Sequence, residues 1–223
     1  MTDKRANIRT ILADDHPFAL HGLKCALLSQ SGIHVVGTAD SAERLTALLD
    51  RVPCDAIVTD YAMSEGLSND KWALFVNLLN RLPRTPVVCH TAFDAPELVV
   101  ALARLGVSGI VSKRDASGDI VTAVRSAVAG QQYLSPMAEA ARASAAGVRA
   151  AEALKTLSRR ELEILGLLLS GFPVMAIASM LDRSFKTVSA QKVSIKRRLA
   201  AISDPDFLGH AAAEGWVHAF SAR

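Results

Sequence analysis

Residues 8–17 read Ile8-Arg9-Thr10-Ile11-Leu12-Ala13-Asp14-Asp15-His16-Pro17. A mainly apolar run ends in two adjacent acids, and a proline follows where a helix can begin. The same punctuation recurs along the chain. Asp60 follows Ala56-Ile57-Val58-Thr59, Thr91 follows Val87-Val88-Cys89-His90, and Lys113 follows Gly109-Ile110-Val111-Ser112. Short apolar runs separated by amphipathic, helix-length segments predict buried parallel strands with crossover helices. In such a sheet, ligands bind beyond the carboxyl ends of the strands. Four strand ends therefore bring Asp14, Asp15, Asp60, Thr91 and Lys113 to one rim. Three carboxylates, a hydroxyl and an ammonium suit a divalent cation plus a phosphoryl group.

Working outward, strands are expected over residues 8–13, 34–38, 55–59, 86–90 and 107–112. Helices are expected over 16–28, from about Ser41, and over 72–81, 97–105 and 117–129. Five strand–helix units make residues 1–134 a doubly wound, five-stranded parallel sheet. Residues 135–154 change character. They are rich in alanine, carry Gly147 and hold little that can be buried, which predicts a semi-ordered, partly helical linker. In residues 155–223, Ser158-Arg159-Arg160-Glu161 forms a capping box that opens a helix with Leu162, Leu165 and Leu169 on one side. Gly171 and Pro173 punctuate, and a second helix carries Ile177, Met180 and Leu181. Ser184 then caps a third helix from about Phe185 to Ala200. This is a helix-turn-helix pattern. An amphipathic last helix, about 206–220, closes an all-α, four-helix block.

Bulk properties narrow the field. The chain has 223 residues, half of them hydrophobic, and a net charge of +3. No apolar stretch reaches the ~18 residues of a membrane span. The start of the chain lacks a signal-peptide pattern, so a cytoplasmic protein with no membrane partner is expected. Cys25, Cys54 and Cys89 are widely spaced and are expected to be reduced, buried, small apolar residues. Lys and Arg number 13 against 14 acids in residues 1–134, but 8 against 3 in residues 157–200. The positive charge is thus concentrated where a polyanion can meet it.

Taken together, Asp14-Asp15-His16-Pro17, Asp60, Thr91, Lys113 and the block Leu157–Leu199 resemble the two-component response regulators. Residues 1–134 are similar to their flavodoxin-like receiver domain. Residues 155–223 are similar to the DNA-binding domain of the NarL/LuxR (FixJ) group. The long loop Ser64–Asp70 and the wording Arg183–Lys192 look most like the capsule-synthesis (Rcs) type. The resemblance implies Asp60 as the phospho-acceptor, with a histidine kinase or phosphotransfer protein as donor. It implies Mg²⁺ held by Asp15 and Asp60, with Asp14 acting through water. Lys113 and Thr91 are then expected to contact the phosphoryl oxygens.

Two positions depart from the family. Ser64 stands where proline is frequent. Ile110 replaces the Tyr or Phe that reports phosphorylation by changing rotamer, which puts the usual aromatic switch in question. Other polar residues suggest packing rather than chemistry: His16 helps to start the first helix, and His90 is expected to be a satisfied residue at the end of a buried strand.

In the third helix of the C-terminal block, Val188, Ile195 and Leu199 are expected to face the core. Ser189, Ala190, Val193 and Arg197 then share another face, with Lys186, Lys192 and Lys196 nearby. Such a helix suits the major groove, the cations contacting phosphates and the smaller side chains reading base edges. The resemblance adds Lys186, Thr187 and Gln191 to the residues expected at DNA. Promoter DNA is the expected partner, bound by a homodimer or by a heterodimer with an auxiliary regulator. The receiver's fourth and fifth helices offer one dimer surface. The last helix, with Phe207, Leu208, Trp216 and Val217, offers a second surface or packs into the core. Two other readings are kept: a partner-dependent regulator whose receiver is a dimerisation platform, and a phosphohydrolase. The hydrolase needs an acid two residues after the nucleophile, where Ala62 stands.

Overall fold

The computed structural model describes residues 7–63, 71–93 and 95–200. Its elements run β1 (Ile8–Ala13), α1 (Pro17–Leu28), β2 (Ile33–Ala39), α2 (Ala42–Leu49), β3 (Ala56–Asp60), α3 (Lys71–Arg81), β4 (Val87–Thr91), α4 (Pro96–Leu105), β5 (Gly109–Ser112), α5 (Ser117–Val128), β6 (Tyr133–Leu134), α6 (Pro136–Ala143), α7 (Ala145–Leu154), α8 (Arg159–Leu169), α9 (Val174–Met180) and α10 (Phe185–Ala200). They fall into two compact units. One takes the described residues of Met1–Asp94 together with Gly106–Ala140; the other takes Ala95–Leu105 and the described residues from Ala141 onward. The expected last helix and the loop Ser64–Asp70 lie outside the described residues.

In the first unit all strands are parallel, in the order β2-β1-β3-β4-β5-β6. The sheet therefore has six strands, not the five expected. The sixth is only two residues long, too short to show a hydrophobic period, and it forms by pairing Gly109 with Tyr133 and Ile110 with Leu134. Strands β3 and β5 are buried along their whole length, which explains their unbroken apolar character. On one face Leu12, Val58, Val88 and Val111 meet Leu23 and Leu27 of α1 and Ile120, Ala123 and Val124 of α5. Each such aliphatic side chain contributes roughly 1.5–3 kcal/mol on burial. Glycine at 109 is needed for this packing, since a Cβ there would stand 3.2 Å from Val88 and 3.3 Å from Ala123. The strand order reverses between β1 and β3, so the carboxyl ends of these strands flank the crevice where such sheets bind ligands.

The segment leaving the sheet is tied down more firmly than an Ala-rich composition suggests. The Ser135 hydroxyl oxygen accepts the Ser112 N–H at 3.0 Å, and the Asp115 carboxylate accepts the Met137 N–H at the start of α6. The expected semi-ordered linker is instead two helices. In the second unit α7 packs against α4, with Ala150 and Leu154 buried. Small alanines let the helices approach without large apolar side chains, the feature missing from the sequence-based reading. Gly147 is required at the junction, because a Cβ would come within 2.3 Å of the Arg142 carbonyl oxygen. Helix α4 buries Leu98, Val99, Val100, Ala101, Leu102 and Leu105 and also touches α8. Helix α4, one of the two helices offered as a dimer surface, is thus packed against α7 and α8 in this unit.

Helices α8, α9 and α10 form the predicted helix-turn-helix. Ser158 and Glu161 make the full capping box of α8. Asp182 takes a left-handed backbone (φ 50°) in the turn, and the Ser184 hydroxyl accepts the Thr187 N–H at 3.0 Å, capping α10. Val188 and Ile195 are fully buried, and Leu199 is half-buried. Glu161 anchors α10 to α8. It accepts from the Ser194 hydroxyl at 3.1 Å and faces Arg198 at 3.4 Å. Burial alone would raise the Glu161 carboxyl, but hydrogen bonds from Ser158 and Ser194 and the Arg198 charge hold it below its ordinary value.

Candidate functional site

The rim predicted from the sequence is assembled in the first unit. Asp14 lies just past β1, Asp60 ends β3, Thr91 ends β4 and Lys113 follows β5. Asp60 and Thr91 are the last residues of their strands, one position earlier than expected, and both are buried. Lys113 Nζ bridges the two inner carboxylates, 2.7 Å from Asp14 Oδ2 and 3.0 Å from Asp60 Oδ2. The Lys113 backbone N–H donates to the Thr91 carbonyl at 2.7 Å, which ties the ends of β4 and β5 together. The Thr91 hydroxyl oxygen accepts the Phe93 N–H at 3.0 Å.

Asp14 is fully buried, and besides Lys113 it accepts the His16 N–H at 2.9 Å. Asp15 keeps a side chain 34% exposed and holds His16 Nδ1 at 2.7 Å. One ligand atom from each of Asp14, Asp15, His16 and Asp60 lies within 4.8 Å of the others. Asp60 Oδ1 is buried and has no hydrogen-bond partner among the described residues. A carboxylate oxygen in that condition is costly unless a ligand completes it. Burial raises the Asp60 carboxyl above its ordinary value, and Lys113 opposes the rise. For Lys113 itself, burial pulls downward but is outweighed by Asp14 and Asp60, so the ammonium is held above its usual value.

Some expectations need correction. Cys89 is buried, but Cys25 is exposed on α1 beside His21, and Cys54 is half-buried. His90 packs at the end of β4 as expected, yet its Nδ1 has no partner among the described residues, and burial pushes its pKa down to about 4. Two residues at the rim were missed. His16 joins the acidic cluster through both its ring and its backbone. Lys71, the first residue of α3, is buried with its ammonium 5.1 Å over the Phe93 ring. A single lysine at a loop–helix junction carries no sequence signal.

On α10, Lys186, Thr187, Ala190, Val193, Lys196 and Arg197 are exposed, while Ser189, Gln191 and Lys192 are half-buried. Lys186, Ala190, Val193 and Arg197 recur at helical spacing and share a face. Val193 is 64% exposed. Thr187 and Gln191 turn toward a cleft lined also by Arg160, Ile164, Leu181 and Arg183. Arg160 and Arg183 add positive charge beside the helix that the reading of α10 alone omitted.

Comparison with known proteins bears on both units. Residues 10–125 match the response regulator receiver domain, and residues 155–211 match the bacterial regulatory proteins of the luxR family. The chain belongs to the response regulator family. It joins a receiver to a LuxR-type DNA-binding domain, the architecture of a transcriptional regulator. This regulator is 29% identical over 208 residues to transcriptional regulatory protein RcsB of Escherichia coli K12, covering 92% of this chain and 94% of that one. It is 28% identical over 214 residues to MctR of Rhizobium johnstonii, covering 96% and 97%. Among solved structures, RcsB of Salmonella enterica serovar Typhimurium bound to the P1flhDC promoter with the phosphomimetic BeF3⁻ matches with a TM-score of 0.60. That match is 28% identical and covers 95% of this chain and 98% of that one. RcsB has also been seen as two dimers on two parallel DNAs. No helix among the described residues is long and apolar enough to cross a membrane.

Proposed function

We propose that this regulator is phosphorylated on Asp60 by a histidine kinase or phosphotransfer protein and binds promoter DNA as a dimer. The observation that carries the reading is Asp60 itself: a buried carboxylate with one oxygen fixed by Lys113 and the other without a partner among the described residues. In the proposed reaction Asp60 Oδ1 attacks the phosphorus of a phosphohistidine. The P–O bond forms as the P–N bond breaks, and the imidazole leaves with the electron pair. Lys113 takes charge on the phosphoryl oxygens, and the Thr91 hydroxyl donates to one of them. The clustered oxygens of Asp14, Asp15 and Asp60 fit a hard divalent cation. Bound Mg²⁺ supplies the neutralisation that lets a dianionic phosphoryl group approach three carboxylates. Asp15 and Asp60 would be the direct ligands, because both oxygens of Asp14 are already engaged, by Lys113 and by the His16 N–H.

On DNA, Lys186, Lys192, Lys196 and Arg197 contact phosphates, while Ser189, Ala190 and Val193 read base edges with Thr187 and Gln191 beside them. RcsB bound to promoter DNA supports this reading. Acetyl phosphate labelling, followed by reductive trapping and peptide mapping, tests it. The label is expected on Asp60, only with Mg²⁺ present, and label that persists in Asp60→Asn would overturn it. One observation favours a partner-dependent variant. Ile110 is a buried aliphatic residue on β5 with no ring or hydroxyl to report the phosphoryl group, so a heterodimer partner can supply the output in place of an aromatic switch.

A further inference from the structure

We propose that Lys71 is a second cation of the phosphoryl site, which balances the charge that phosphorylation adds and favours the anion over the metal. The inference rests on the acceptor reading above and extends it to a residue on a different element. Lys71 is only 6% exposed although it is the first residue of a helix. Its Nζ sits 5.1 Å over the Phe93 ring, an arrangement that holds an ammonium in place with little water. Phe93 is joined to the site twice. Its N–H donates to the Thr91 hydroxyl oxygen at 3.0 Å, and its ring meets Tyr61, the residue after Asp60, edge-on with centroids 6.2 Å apart. The ammonium is thus linked through Phe93 to the ends of both β3 and β4.

Charge gives this position a purpose. Among the described residues Asp14, Asp15 and phosphorylated Asp60 carry four negative charges, whereas a divalent cation and Lys113 return three. Lys71 supplies the fourth. Burial pulls its ammonium below the ordinary value, while the charges of Asp60 and Asp15 act in the opposite direction, as expected for a cation within their field.

A cation here has opposite effects on the two ligands, and a purely structural residue does not. Binding of Mg²⁺ alone, and of beryllofluoride at saturating Mg²⁺, would be measured by calorimetry on the full-length protein, wild type, Lys71→Met, Lys71→Gln and Lys71→Arg. Removing the charge is expected to tighten Mg²⁺ and weaken beryllofluoride, roughly five-fold each for a charge several ångströms away, while Lys71→Arg stays close to wild type. If Lys71→Met does not fold, as judged by its melting curve, Lys71→Gln decides. Both ligands weakened together, both unchanged, or Arg behaving like Met would overturn the proposal. Failure of the wild type itself to bind beryllofluoride would instead sink the acceptor reading.

Discussion

Replacing Asp60 with Asn should make the metal-free protein more stable while removing its function. Asp60 is 1% exposed, and Oδ1 has no partner among the described residues. A buried polar group left in that state costs about 1–3 kcal/mol. Burial raises its carboxyl in the folded state, so the stability linked to this group is present at low pH and is lost as pH rises through the raised value. The cost grows as the carboxylate ionises, and Asn, which is neutral at every pH, removes the part that comes from burying charge. Lys113 loses one carboxylate in the exchange but keeps Asp14 at 2.7 Å. A net gain of about 1–2 kcal/mol remains, or roughly 3–8 °C in the melting temperature of a unit this size. Scanning calorimetry of both proteins in EDTA measures it. Mg²⁺ at about a hundred times its Kd should then stabilise the wild type by about 2.7 kcal/mol. The mutant, short of one ligand, should gain much less, so the order of stabilities narrows or reverses. A mutant less stable than wild type in EDTA, or an equal response to Mg²⁺, would refute the reasoning.

Further outcomes follow from the same geometry. Asp15→Asn should weaken Mg²⁺ binding more than Asp14→Asn, because Asp14 already serves Lys113 and the His16 N–H; a metal titration checks the order. Lys186→Ala should weaken binding to all DNA sequences alike and lower the salt slope by roughly 0.9, whereas Val193→Ala should alter sequence preference, as competition between operator variants will show. His90 is held neutral with a pKa of about 4. Its contribution is present above the ordinary histidine pKa and lost as pH falls from about 6.5 toward 4. Acid melting curves should show a loss of order 1–3 kcal/mol in that window, and His90→Gln should flatten it.

The parallel sheet and its rim were legible because strands buried on both faces write themselves as unbroken apolar runs. β3 and β5 show this, and the chemistry falls where each run stops. The Ser158–Glu161 capping box likewise announced α8 before any contact was known. What stayed hidden lacks a period or depends on distant partners. β6 exists because Tyr133 and Leu134 meet the edge of β5, and two residues carry no pattern. Helix α7 packs through alanines and Gly147, whose smallness reads as absence of a core rather than as close approach. Lys71 is far from Asp60, Thr91 and Phe93 in sequence, so only the fold brings its ammonium beside them.

In the proposed function a phosphoryl group on Asp60 controls DNA binding by α10. The most direct test of this control is the affinity of the full-length protein for a selected promoter fragment, with and without beryllofluoride and Mg²⁺, in wild type and Asp60→Asn. Beryllofluoride is expected to tighten wild-type binding within the roughly 5- to 150-fold range of coupled sites and to leave the mutant unchanged. An equal response from Asp60→Asn, or no response from a wild-type protein shown to have bound beryllofluoride, would contradict it.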